Sequence, residues 1–273
     1  MSEQLPLSAL HPMAPEFLST AVLYTAPIDV DAAVARIGEL WSEKIEPEWH
    51  EVPEGALGEG SPAGRIMQFM VDEVLVMITP ERGQLPVEGG HLPNHNFYVA
   101  VSCYAPLKEA PVAEPQSPSD LPEAKRRKRM VSAHIVMTEV MDALVREQAA
   151  IGVFRNELGV VQPPDMVTEL ANSLTEGQAP LPLWVAVRIF HPDLVHGRTL
   201  GLPLFGHLDL EVIDSTHSEE DVFAMLANIS DYIISSDSFL MPGQTIGYRE
   251  GEELQISQAV SDADGQPVIR IQF

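Results

Sequence analysis

From His207 the chain reads HLDLEVI, with Leu208, Leu210 and Val212 on one parity and His207, Asp209 and Glu211 on the other. A strict period of two marks a strand that has one face on a core and the other turned away from it. Strands of a doubly wound parallel sheet are covered on both faces and read as unbroken apolar runs. The segment therefore points to an antiparallel or mixed sheet. The residues that follow, SEEDVFAMLANISDYI, predict a packed helix. Ser218 caps it, and Glu219, Glu220 and Asp221 occupy a first turn where the helix dipole favours negative charge. Val222, Met225, Leu226, Ile229 and Ile233 form its apolar stripe. GQTIGY, LQISQAV and PVIRIQF then read as further strands.

A similar succession opens the chain. An apolar strand at 21–25 turns at Pro27, and Asp29 caps a helix over 30–41 in which Val34, Ile37 and Trp41 recur at helical spacing. Residues 65–71 and 74–79 read as strands joined at Asp72-Glu73, and 96–104 as another. The fold class expected is α+β, with antiparallel or mixed sheets, packed helices and two related strand–helix–strand–strand halves. Five prolines between 105 and 129 predict an exposed linker ending in the basic run Lys125 to Arg129. The expected division is thus an amino-terminal half at 1–104, a Pro-rich loop at 105–129 and a carboxy-terminal half at 130–273. In the last of these, SAHIVMTE (132–139) reads as a strand. Residues 140–150 read as a helix with Met141, Leu144, Val145 and Gln148 on one face. VFRN resumes as a strand after Gly152, and PPDMVTELANSL reads as a helix with Met166, Val167, Leu170 and Leu174 inward. PLWVAVRIF (182–190) reads as a buried strand.

Charge narrows the function. The 273 residues carry 40 acidic and 16 basic side chains, a net charge of −24, yet 45% are apolar, so this is not a disordered acidic chain. Both halves are acidic. Such a surface repels phosphate backbones, which excludes conventional nucleic-acid binding and favours a basic protein partner. The run Lys125 to Arg129 is too isolated for a nucleic-acid footprint and reads as a solvated loop edge. Cys103 is alone, which rules out an internal disulfide. MSEQLPLSAL lacks the pattern of a secretory signal, and no apolar run approaches the roughly 18 residues of a membrane span. The expectation is a cytoplasmic protein with no membrane association; a homo-oligomer stays open.

Several chemistries fail on context. GLPLFGHL (201–208) has the glycine spacing of a phosphate-cradling loop, but His207 and Leu208 stand where Lys and Ser or Thr are required. Pro203 also removes a backbone donor, and a strand follows where that loop needs a helix. His191, His196 and His207 match no zinc spacing, while Gly and Pro around His91 and His95 deny them a shared helix face. His134 reads as a core or edge histidine, and Cys103 as a small apolar core residue. No complete nucleophile motif is present. Arg198 is either an anion clamp or the partner of a carboxylate. The candidates left are His207, Asp209 and Glu211. Alternation puts them on the solvent side of a half-buried strand; if that face were covered, an imidazole and two carboxylates would form a site for binding, acid/base work or a metal.

SAHIVMTE, IGVFRNELGVVQPP, LWVAVRIF, RTLGLPLFGHLDLEV and PGQTIG occur in an order that resembles a bacterial family, domain of unknown function 4261, over roughly residues 130–250. The resemblance implies an α+β fold in a bacterial cytosolic protein, with no established activity, cofactor or catalytic residue. By analogy with small acidic α+β proteins near bacterial toxin and secretion loci, it implies a non-catalytic binding protein of immunity or adaptor type. The alternatives are an enzyme working through the His207, Asp209 and Glu211 face, or a structural subunit of an assembly.

Overall fold

In the computed structural model, which describes residues 17–40, 44–55, 64–87, 92–105, 122–249 and 251–273, a first unit (Glu16–Leu183) is built on a seven-stranded antiparallel sheet. In chain order its elements are β1 (Phe17–Tyr24), α1 (Val30–Leu40), β2 (Glu48–Val52), β3 (Gly64–Val71), β4 (Val74–Arg82) and β5 (Phe97–Tyr104), followed by α2 (Pro122–Val145), β6 (Ala150–Arg155), β7 (Val160–Gln162) and α3 (Pro164–Ala171). The strand order is β2-β3-β4-β5-β1-β6-β7. Asp29 caps α1 as expected, its Oδ1 accepting from the Ala32 N–H at 3.1 Å, and Val34 and Ile37 are buried beneath it. Trp41 lies outside the described residues. Asp72 and Glu73 both take positive φ (46° and 62°), the geometry of a two-residue hairpin turn.

The segment expected as a strand at 132–139 is instead the middle of α2. Ile135, Val136 and Thr138 suggested a strand because β-branched side chains suit pleated surfaces. Across a longer window, Met130, Ala133, Met137, Val140, Met141 and Leu144 recur every three to four residues, and all are buried. The helix lies on β1, β4, β5 and β6 and between α1 and α3, so apolar residues surround nearly its whole girth. The helix begins at Pro122, so the basic run occupies its first turns and not a loop edge. Arg129 donates to the Glu73 carboxylate (3.0 Å) and to the Glu73 carbonyl (2.6 Å), holding the β3–β4 turn. These contacts move the division of the chain. Residues 130–183 join the amino-terminal elements because β6 pairs with β1, Ala21 opposite Phe154.

The second unit takes in Trp184–Phe273. The short turn α4 (Leu181–Trp184) leads into β8 (Ala186–Phe190), β9 (Val195–Leu200), β10 (Asp209–Ser215), α5 (Glu219–Ser236), β11 (Thr245–Gly247), β12 (Glu253–Val260) and β13 (Pro267–Gln272). The six strands run in the order β11-β12-β13-β10-β9-β8. PLWVAVRIF is therefore a helical turn followed by an edge strand, with Phe190 exposed, and not a buried strand. All pairs are antiparallel except β10 with β13.

The two units share a plan. β1 enters α1 and returns through a four-strand meander to lie beside itself; β10 enters α5 and returns through a three-strand meander. An even number of strands brings β5 back antiparallel to β1, and an odd number brings β13 back parallel to β10. Helix α5 buries the expected stripe of Val222, Met225, Leu226, Ile229 and Ile233, and Ser218 Oγ accepts from the Asp221 N–H at 3.1 Å. Its seat on β9 requires glycine at position 197. A Cβ there would stand 2.6 Å from Val222 Cγ1 and 2.7 Å from Leu226 Cδ1. Gly197→Ala should therefore lower stability by about 1–3 kcal/mol, read as a fall in the denaturant midpoint. Among the described residues, no helix is long and apolar enough to cross a membrane.

Candidate functional site

The sheet register builds the site. Glu211 on β10 stands opposite Arg198 on β9 and opposite Arg270 on β13, so the three form one row across adjacent strands. This face is not the solvent side that alternation predicts. His207, Asp209 and Glu211 are 4%, 6% and 3% exposed, and Arg198 is 7% exposed. Alternation reports a contrast of polarity between two faces; it does not say that the polar face is wet. Polar side chains are buried where each finds a partner, and here they do.

Glu211 Oε2 accepts from Arg270 Nη2 at 2.6 Å and from Nε at 3.2 Å, two charge-assisted donors converging on one carboxylate oxygen. Its Oε1 accepts from Ser261 Oγ at 2.5 Å. Ser261 Oγ in turn accepts from Arg198 Nη1 at 2.8 Å, and Arg198 Nη2 donates to Asp264 Oδ2 at 2.8 Å. Partial burial works to raise the Asp264 carboxyl; the Arg198 hydrogen bond and ion pair and the Gln266 N–H outweigh it and hold the group below its usual range. The network thus ties the turn between β12 and β13 to the middle of the sheet. Of the two readings of Arg198, carboxylate partner is the one realised.

Asp209 belongs to a separate set of contacts. Its Oδ1 accepts from Thr199 Oγ1 at 3.0 Å and from the Leu202 N–H at 3.3 Å. Burial pushes its carboxyl up to about 7, opposed by the Thr199 hydrogen bond, the Arg198 charge and the Leu202 N–H. The turn that supplies the Leu202 N–H is GLPLFGHL. Gly201 and Gly206 take positive φ (121° and 82°) around a 3₁₀ turn at Leu202–Phe205. Four of the backbone donors that would face a phosphate are used within the turn or on Asp209. The Leu204 N–H goes to the Gly201 carbonyl, that of Gly206 to Pro203, and that of His207 to Leu202. Leu202, Leu204 and Phe205 are buried, and the His207 ring lies 5.0 Å from that of Phe239. The three candidates share one side of the chain, but each is engaged with neighbours of its own.

The remaining histidines are apart. His191 contacts Glu219 at 2.7 Å, and His196 contacts Asp214 at 3.3 Å. His95 Nε2 accepts from the Leu85 N–H at 2.7 Å, which puts its proton on Nδ1, 2.7 Å from the Pro93 carbonyl; His91 lies outside the described residues. His134, on a helix and not in a strand, donates from Nδ1 to the Met130 carbonyl at 2.8 Å. Cys103 is fully buried, and burial pushes its thiol up to about 12, so it is protonated near neutrality and a poor nucleophile. Among the described residues, no three His, Cys, Asp or Glu side chains come together in a way that would hold a metal ion.

Sequence reasoning missed Arg270, Ser261 and Asp264 as members of the network, and Thr199 as the partner of Asp209. Arg270 interrupts the apolar strand PVIRIQF, and a cation in such a strand is a signal that a buried carboxylate awaits it. No curated protein and no solved structure matches the chain. Residues 198–272 match the model of the family described as Domain of unknown function (DUF4261), the family the sequence resembles, and every member of the Arg198–Glu211–Arg270 network falls inside that match.

Proposed function

We propose that this chain is a non-catalytic acidic binding protein that meets a basic protein partner in the cytoplasm, in an immunity- or adaptor-like role in a bacterial toxin or secretion setting. The observation that carries this reading is the closure of the network around Glu211. The acidic groups the sequence offers for chemistry brace the sheet, while Glu219, Glu220 and Asp231 are exposed on α5. Exposed acids attract a cationic partner at long range, which gives fast association that salt weakens. Immobilised protein should retain a basic protein from an extract of the native host at about 50 mM salt and release it when salt is raised several-fold. Retaining nothing at low salt, or retaining a partner whose binding is indifferent to salt, would sink the proposal.

An enzyme working through His207, Asp209 and Glu211 has one observation in its favour, the Asp209 carboxyl raised to about 7, where a general acid or base is useful. Against it, Glu211 is held by Arg270 and Ser261, and the buried face offers a substrate little to touch.

A further inference from the structure

The six-stranded sheet ends on β11, and the pairing of this edge extends beyond its three strand residues. The Gly243 N–H donates to the Ile256 carbonyl (2.8 Å), the Ile256 N–H to the Gln244 carbonyl (3.1 Å), and the Tyr248 N–H to the Glu252 carbonyl (3.1 Å). In an antiparallel ladder this alternation turns the backbones of residues 244, 246 and 248 toward β12 and those of Thr245 and Gly247 outward. A bare edge is a template for another strand, and proteins commonly block it with charge or keep it short. The other edges are so protected. β2 carries Glu48, His50 and Glu51, β8 carries Arg188, and the three-residue β7 runs into Pro163 and Pro164. From Gln244 to Tyr248 the β11 edge has no charged side chain.

Beside this edge, on the face that carries α5, is a groove of about 460 Å³ lined by Asn228, Ile229, Tyr232, Ile246, Gly247 and Tyr248. Tyr232 is 51% exposed and Phe223, on the same helix, 50%. Between residues 219 and 236 the helix has four acidic residues and no basic one. Asp231 is exposed next to Tyr232, and Glu253, which pairs with Gly247, accepts from Thr245 Oγ1 at 3.3 Å. Arg249 is already held by Asp221 at 2.6 Å.

We propose that β11 and this groove receive an extended basic segment of the partner protein as an added outer strand. Its backbone pairs with Thr245 and Gly247, its apolar side chains lie against Tyr232, Ile246 and Tyr248 on the α5 face, and its alternate Lys or Arg side chains emerge on the opposite face beside Glu253. Main-chain pairing gives such strand addition its affinity, and the pockets for alternate side chains give it specificity. This inference rests on the acidic-binding reading above and names its surface and the form of its partner.

The test uses the full chain and a blocked peptide of alternating Lys and Val, with two controls: the same peptide N-methylated at alternate residues, and alternating Glu and Val. Amide shifts on titration should saturate and concentrate at 228–232 and 244–248. Tyr232→Ala, Thr245→Pro and N-methylation of the peptide should each weaken binding about tenfold or more, since each removes roughly 1.4 kcal/mol or more of contact or pairing. The surface charge reversal Glu253→Lys, which disturbs no buried group, should do the same, while Glu48→Lys at the β2 edge leaves binding intact. Saturable binding that maps to other acidic surfaces, or that N-methylation leaves unchanged, overturns the site and leaves the acidic-binding reading standing. Equal binding by the Glu-Val peptide, or no saturable binding by the Lys-Val peptide, overturns both.

Discussion

Glu211→Leu should destabilise the Trp184–Phe273 unit by about 3–5 kcal/mol, because it leaves Arg270 and the buried Ser261–Arg198 contact without the carboxylate that joins them. The loss is not the Coulomb energy of one ion pair. It is mostly the cost of keeping a guanidinium in a partly desolvated row with nothing opposite it. The double variant Glu211→Leu/Arg270→Met should therefore recover most of the loss, since an apolar pair of similar volume needs no solvation. Arg198 keeps its ion pair with Asp264 at 2.8 Å in that double variant. Denaturant midpoints of wild type, both single variants and the double variant give the coupling directly. A Glu211→Leu variant within about 1 kcal/mol of wild type, or a double variant no better than the single, would mean that the network does not brace the sheet. The bracing role also predicts that partner binding by the double variant is unchanged once it is folded.

How far such a network can be read ahead of a structure depends on distance along the chain. The strand at β10, the cap and stripe of α5 and the Asp72-Glu73 turn were legible because each is written within a few residues. Two alternatives were not separable locally. SAHIVMTE contains β-branched residues and also part of a helical apolar repeat, and the repeat prevails because α1, α3 and the sheet together cover most of the girth of α2 there. The polar face of β10 has the same ambiguity. Asp209 and Glu211 are what a wet face would show, and they are also what a buried face shows when arginines stand opposite. Ser261 is 50 residues from Glu211 and Arg270 is 59 residues from it. Their meeting depends on β13 returning parallel to β10, and the parity of the meander that ensures this is a property of the whole unit. What the sequence did offer was the pair of oddities, Arg198 in one strand and Arg270 in another, in a chain where acids outnumber bases 40 to 16.

The second large effect is a pH dependence that belongs to Asp209 and should vanish in Asp209→Asn. In the unfolded chain its carboxyl titrates near the usual 3.8, and in the folded protein burial raises it to about 7. Between those values the folded state holds a proton that the unfolded state has released. Folding therefore takes up a proton, and stability falls as pH rises. Below about pH 4 both states are protonated and the group has no pH effect; above about pH 7 both are ionised and the loss is complete. A gap of this size, at about 1.4 kcal/mol per pH unit, amounts to a few kcal/mol, lost between about pH 4 and pH 7. Asparagine imitates the protonated acid. Its carbonyl oxygen can accept from Thr199 Oγ1 and the Leu202 N–H as Asp209 Oδ1 does, and it has no charge to bury. Asp209→Asn should thus match wild type only below about pH 4, exceed it increasingly as pH rises, and lead by about 2–4 kcal/mol at pH 8. Other groups shape the absolute curves, but they are common to both proteins and cancel in the difference. Denaturant midpoints of the two proteins at about pH 4, 6 and 8 provide that difference. Parallel profiles would show that Asp209 ionises inside the fold without cost, and the burial that separates it from an ordinary surface acid would then have no energetic consequence.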